Sequence, residues 1–391
     1  MALDTPASIA ILGAGPIGLE AALYARFLGY DVQLLERGRI CEHLRRWGHE
    51  RLFTPWHMIG SPLGIAALSA QNPEWRPPER DALLTGNQLI ARYYEPLAQS
   101  DLVIDGLREH AEVVAVGRET FLAGEGLGSE AREDESFRIL VRDAAGERVV
   151  TADAVIDATG TLGHPNWTGQ GGIPAVGERV AAEQTERGII DICGEQRAAF
   201  AGKRVLVIGA GHSAATNVVN LATLDPRPTV MWVTRRVPNG SLGPVSLIEN
   251  DPFPERDQLA RAANSLAKEP VGCVAHWPGT WVEALEWQPE TVTFRVKLVG
   301  AYAATLDVDR VVANVGHRAD YGLSRTLAVR AKDADKLVQK EPDYYVLGAK
   351  TRAAGSHFAI ADGLTQIRDL FRIIGDREGL DLYANMRKLP T

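Results

Sequence analysis

Cysteine is scarce in this chain: 391 residues hold only Cys41, Cys193 and Cys273, far apart in sequence. They form no C-x-x-C pair and no metal-binding spacing. A dithiol mechanism needs a second sulfur to resolve its intermediate, so none is expected. Scattered thiols suit a reducing compartment. Long apolar runs are also missing, and no membrane-spanning helix is expected. Residues 1–8 lack a basic segment followed by an apolar core, so the expected location is cytoplasmic. Basic charge is in deficit, with 42 Lys and Arg against 50 Asp and Glu, a net charge of −8. Nothing there attracts nucleic acid or anionic lipid. No Ser-His-Asp set and no histidine-rich metal site is present.

What is present is a pattern that occurs twice. Residues 8–12 are a short apolar run that reads as a buried parallel strand. Glycines follow, then a helical pattern over residues 17–28, then a second strand at residues 31–35. This βαβ unit predicts one wall of a doubly wound sheet. The same order returns at residues 203–208, 213–224 and 229–234. Two copies suggest two nucleotides. Between them, residues 39–86 read as irregular, residues 86–98 as a helix, and residues 112–118, 137–142 and 148–150 as a small antiparallel layer. Residues 124–136 read as its solvated loop. The tail, with a strand near residues 344–347 and a helix near 363–374, returns to the first domain. The expected class is α/β, with two Rossmann-like dinucleotide-binding domains. The first comprises residues 1–165 and 317–391, and the second, residues 166–316, is inserted in it.

The first glycine turn is Gly13-Ala14-Gly15-Pro16-Ile17-Gly18. Gly13 makes the tight turn, Gly15 lets a pyrophosphate approach the backbone, and Gly18 lets the helix pack close to the strand. The helix start offers free N–H groups and a partial positive charge to phosphates. Glu36 ends the following strand. Its carboxylate suits ribose hydroxyls and repels a 2′-phosphate, so this site should hold FAD or NAD. The second turn is Gly209-Ala210-Gly211-His212-Ser213-Ala214, with Ala in the third glycine's place, which the fingerprint allows. Its next strand ends in Arg235 and Arg236. Paired guanidiniums suit a dianionic 2′-phosphate, and Ser213 can donate one more hydrogen bond. NADPH is therefore expected there.

Two such motifs, the earlier acidic and the later basic, resemble the two-dinucleotide-binding-domain flavoproteins, a superfamily of flavin-containing monooxygenases and thioredoxin-reductase-like and glutathione-reductase-like enzymes. Val155-Ile156-Asp157-Ala158-Thr159-Gly160 resembles the A-T-G motif at which the chain leaves the FAD domain. Phe200-Ala201-Gly202-Lys203 and the Gly-x-Gly-x-Ser at 209–213 resemble the monooxygenase branch. The resemblance implies FAD at Gly13, Gly15, Gly18, Glu36, Arg37, Val113, Thr159 and Gly160. It implies NADPH at Gly209, Gly211, His212, Ser213, Arg235 and Arg236. Two features depart from it. No Phe lies between Gly160 and Phe200, so the monooxygenase fingerprint F-x-G-x-x-x-H is missing. The late G-D pair that meets the ribityl chain in many relatives is replaced by Gly348-Ala349-Lys350.

Residues 47–57 are aromatic and irregular, and they follow the Glu36 strand. Trp47, His49, Arg51 and Trp56 are the candidate substrate-pocket residues, and His49 or His57 can move a proton near neutral pH. Core packing of the tryptophans and surface histidines is the competing reading; residues 350–357 are the alternative pocket wall. The resulting expectation is an FAD-dependent, NADPH-oxidising enzyme. It would insert oxygen into a soft nitrogen or sulfur of a small molecule through a flavin C4a-hydroperoxide. Alternatives are a reductase passing electrons to a quinone, metal ion or small carrier, and a non-catalytic nucleotide sensor. The expected partners are a small-molecule substrate and, for the first reading, O2. A homodimer is left open.

Overall fold

A computed structural model describes residues 3–236, 243–268, 273–329, 337–352 and 358–386. The chain divides into two compact units. One comprises residues 1–48, 54–164 and 318–391, and the other residues 49–53 and 165–317.

The first unit is built on β1 (Ser8–Leu12), α1 (Pro16–Phe27) and β2 (Asp31–Leu35). Its five-stranded sheet runs in the order Tyr344–Val346, Ala154–Asp157, β1, β2, Leu107–Arg108, and all four pairings are parallel. Ile9, Ile11 and Leu12 have no exposed surface, as a strand covered on both faces requires. Each such side chain contributes about 1.5–3 kcal/mol of burial. The strands Glu112–Arg118, Phe137–Asp143 and Gly146–Ala152 form an antiparallel layer. It packs its Phe137, Ile139 and Val141 against Ala10 and Leu12 of β1.

Two parts of this unit differ from the sequence expectation. The irregular stretch contains a helix, Pro62–Gln71, capped by the Ser61 hydroxyl, which accepts from the Gly64 N–H at 2.7 Å. The stretch expected as a solvated loop carries Arg132, whose side chain is wholly buried. Its guanidinium pairs with buried Glu341 at 2.9 Å and donates to the Leu122 and Glu125 carbonyls. Arg118 bonds the same carboxylate at 2.9 Å. One carboxylate thus gathers two arginines, one from a strand of the layer and one from its loop, 223 and 209 residues away.

The second unit is built on β3 (Arg204–Ile208), α2 (His212–Ala222) and β4 (Thr229–Thr234). Its parallel sheet runs Val274–Pro278, β4, β3, Arg310–Ala313, Glu186–Arg187. One face packs α2 and the helix Pro254–Lys268. The other packs an antiparallel meander, Thr280–Gln288, Thr293–Gly300 and Ala304–Val308. No helix among the described residues is long and apolar enough to cross a membrane.

Candidate functional site

Each unit presents a glycine turn between its first strand and first helix. In the first, Gly13 has φ +93°. A Cβ on Gly18 would lie 1.8 Å from the Gly13 carbonyl oxygen, so helix and strand approach as only glycine permits. Gly15 caps α1 in an extended conformation, and a Cβ there would meet nothing within 4 Å. Glycine at this position therefore leaves open space at the helix start without being required by the protein's own packing. An FAD pyrophosphate fits such a cradle. The Glu36 carboxylate accepts the Ala14 and Gly38 N–H groups, both at 2.8 Å, which fixes an acid at the rim of the turn. Arg37 is exposed beside it and Val113 is half-buried. Thr159 folds onto Asp157, donating from its N–H at 3.1 Å and its hydroxyl at 2.6 Å. Gly160 follows in the left-handed region, φ +68°, facing open space.

Lys350, at the position of the missing G-D pair, is turned inward. Its ammonium lies 2.6 Å from Asp157 Oδ2 and 3.1 Å from Thr159 Oγ1, with side-chain exposures of 1% and 0% for the ionic partners. The Tyr344 hydroxyl donates to the same Asp157 oxygen at 3.1 Å. The lysine thus locks the Asp157–Gly160 turn.

In the second unit Gly209 has φ +129°, and a Cβ would lie 2.1 Å from the Asn314 carbonyl oxygen. Gly211 caps α2 and again faces open space. His212 and Ser213 open the helix, half-buried. Arg235 and Arg236 are both exposed at the end of β4. Among the described residues neither forms an ion pair, so both guanidiniums are available to a phosphate.

The proposed substrate residues divide between the two units. Trp47 is half-buried in the first unit, and Trp56, 3% exposed, packs edge-on against Tyr93 with ring centroids 4.9 Å apart. His49 and Arg51 belong to the second unit. Within that unit Glu50 accepts from Asn220 of α2 at 3.1 Å, and the Phe53 ring lies 6.3 Å from that of His212. His57 is exposed, 3.3 Å from Asp81. In the alternative wall, residues 353–357 lie outside the described residues. Sequence reasoning missed Asp157 and Lys350 as a pair, since 193 residues separate them.

No described cysteine is paired. Cys41 is buried and burial pushes its thiol up, away from the reactive thiolate, whereas Cys193 is exposed. No group of three or more metal-ligating side chains occurs among the described residues.

Two parallel-sheet units, each with an open glycine cradle, define a two-dinucleotide-binding-domain flavoprotein fold. Residues 10–122 match the family model of the pyridine nucleotide-disulphide oxidoreductases. No curated protein sequence matches the chain. Among solved structures, it is similar to the bacillithiol disulfide reductase Bdr from Bacillus cereus, with TM-score 0.67, 18% identity and coverage of 95% and 99% of the two chains. It is also similar to an ornithine N-hydroxylase from Kutzneria, with TM-score 0.64, 15% identity and coverage of 95% and 100%. A flavin-containing monooxygenase from Stenotrophomonas maltophilia gives TM-score 0.59, 20% identity and coverage of 94% and 98%. At these identities the structural likeness shows a shared fold alone, and the neighbours span reductases and monooxygenases.

Proposed function

We propose that this protein is an FAD-dependent oxidoreductase that takes a hydride from NADPH and delivers the electrons to O2, placing one oxygen on a soft nitrogen or sulfur of a small substrate. The observation that carries the reading is the pair of open glycine cradles with opposite charge at their strand ends. Glu36 borders one, Arg235 and Arg236 the other. FAD at the first would supply the redox chemistry, and the protein would supply position, polarity and exclusion of water. Gly13, Gly15 and the first turn of α1 would receive its pyrophosphate, and Glu36 its ribose. Arg235 and Arg236 would hold the NADPH 2′-phosphate, with Ser213 donating beside them. The neighbours named as monooxygenases support oxygen transfer.

A second reading, a reductase that passes electrons to another acceptor, is favoured by the bacillithiol disulfide reductase likeness. The three unpaired cysteines weigh against a dithiol relay of its own. Oxygen uptake with a panel of small amines and sulfides separates the two. Oxygen transfer consumes one NADPH, one proton and one O2 per oxygenated product, releasing NADP+ and water. Substrate-stimulated, peroxide-free O2 uptake at that ratio is the expected result. NADPH oxidation that proceeds equally without O2 once a quinone or disulfide is added would contradict it.

A further inference from the structure

Residues 49–53 belong to the second unit, although the chain on both sides of them belongs to the first. Two contacts tie this short segment to α2. The Glu50 carboxylate accepts from the Asn220 amide at 3.1 Å. The Phe53 ring lies 6.3 Å from the His212 ring, at an interplanar angle of 63°. His212 and Asn220 stand on one i, i+4, i+8 ridge of the helix, about 12 Å apart along its axis. The extended chain from Glu50 to Phe53 spans about 10 Å. The segment therefore runs alongside α2, against its direction, and brings Phe53 to the helix start. Thr216, midway on the same ridge, donates to the His212 carbonyl at 3.0 Å and is 8% exposed.

The helix start is where a dinucleotide pyrophosphate would sit, because Gly211 caps α2 and faces open space. Which half of the nucleotide meets Phe53 follows from the two flanks of α2. Asn217, about 60° around the helix from Asn220, donates to Asn314, which follows the strand Arg310–Ala313. That strand pairs with β3 on the side opposite β4. Arg235 and Arg236 follow β4. The segment thus lies on the flank of α2 away from the two arginines. With the 2′-phosphate of the adenosine half on the arginines, the nicotinamide half extends toward Phe53. The Phe53 ring is half-buried, anchored and yet open to a ligand.

We propose that residues 49–53 are the nicotinamide-side wall of the second cradle, with Phe53 packing on the nicotinamide ring. The inference rests on the NADPH reading of that cradle and adds to it a contact that the glycine fingerprint does not include. Flat aromatic rings attract each other beyond the area they bury, and the positive charge of the oxidised nicotinamide adds attraction to an aromatic face. Glu50 is a positioning residue. Its bond to Asn220 fixes the segment along the helix, and so fixes where Phe53 stands, without touching the nucleotide. Part of the stretch read from sequence as a substrate wall thus serves the coenzyme.

The test is calorimetric titration of the protein as purified with NADP+ and, separately, with 2′,5′-ADP, which carries the 2′-phosphate but lacks the nicotinamide half. Phe53→Ala should weaken NADP+ binding about tenfold and leave 2′,5′-ADP within about twofold of the parent. Glu50→Ala should weaken NADP+ alone, by about threefold. Phe53→Tyr keeps the ring and should stay within about twofold of the parent for both ligands. Should Phe53→Ala lose its circular dichroism, Phe53→Leu, which keeps an apolar side chain and removes the ring, replaces it with an expected loss of about fivefold for NADP+ alone. A parent protein that binds neither ligand would overturn the NADPH reading and this inference with it. A parent that binds both, while folded Phe53→Ala and Phe53→Leu hold NADP+ as tightly as before, would overturn this inference alone. Equal losses of both ligands would do the same, because the segment would then only shape the helix start.

Discussion

The two glycine turns share a backbone design and differ in what surrounds it. In the first unit the third glycine is obligatory, because Gly18 presses on the Gly13 carbonyl. In the second, Ala214 fills that position, fully buried, and the tight contact moves to Gly209 against Asn314. The strand beside the turn ends in an ion pair in one unit, Asp157 with Lys350. In the other it ends in a neutral amide pair, with Asn217 donating to Asn314 at 2.9 Å. Each unit's first helix also buries a polar side chain deep in its core, Glu20 in one and Asn217 in the other. Asn217 is satisfied, accepting from the Ile190 N–H at 3.0 Å and donating to the Gly188 carbonyl at 2.8 Å. The contrast is between a neutral amide tied to backbone carbonyl and N–H groups and an acid that burial pushes toward its protonated form.

The strongest way to break the comparison is at Gly15. Its φ of −72° suits any residue, and its Cβ would meet only open space. Gly15→Leu should therefore keep the melting temperature of the FAD-free parent yet fail to bind FAD, read from the absorption of purified protein. Retention of full FAD content would place the flavin elsewhere. Next is Lys350→Met, which strands Asp157 as an unpaired buried charge. It should cost about 3–5 kcal/mol in denaturant unfolding. Asn217→Ala in the other unit breaks only neutral bonds and should cost about 1–3 kcal/mol. Equal losses would erase the distinction between the two turns.

Glu20 yields a pH effect of known sign. Burial pushes its carboxyl in the folded protein up to about 7, above the ordinary glutamate value of 4.5. The protonated acid is thus preferred in the folded state. Stability from this group is intact below pH 4.5 and falls by about 3 kcal/mol as pH rises to 7. The Glu20→Gln variant should show a flatter stability profile across that window; a profile parallel to the parent's would refute the assignment. Neutralising Arg235 and Arg236 together removes charge-assisted bonds worth about 1.5–3 kcal/mol each. KM for NADPH should rise while that for NADH stays near its starting value. An equal rise for both would mean that these arginines do not read the 2′-phosphate. The smallest effect belongs to the cysteines: a triple Cys→Ser variant should reduce its flavin with NADPH near the parent rate.

Much of the scaffold was legible because it is local. Apolar runs at Ile9–Leu12 and Val205–Ile208, each followed by glycines, announce strand, turn and helix within 20 residues. The helix Pro62–Gln71 carried readable signals, Ser61 as cap and Pro62 at its start, yet lay in a stretch dominated by Pro, Gly and Trp. The meander at residues 280–308 also alternates legibly in places. What could not be read were the long-range polar links, such as Arg118 and Arg132 on Glu341 and Lys350 on Asp157. Only the folded chain brings those charges together. Nor does spacing show that Trp56 turns inward onto Tyr93 while His49 and Arg51 cluster with the other unit.

The most direct test of the central claim is a visible spectrum of the purified protein, supplied with FAD and titrated with NADPH without air. A flavin spectrum that bleaches on addition of one equivalent of NADPH, and returns when air is admitted, is the predicted result. A protein that binds no flavin, or whose bound flavin stays oxidised under excess NADPH, would contradict it.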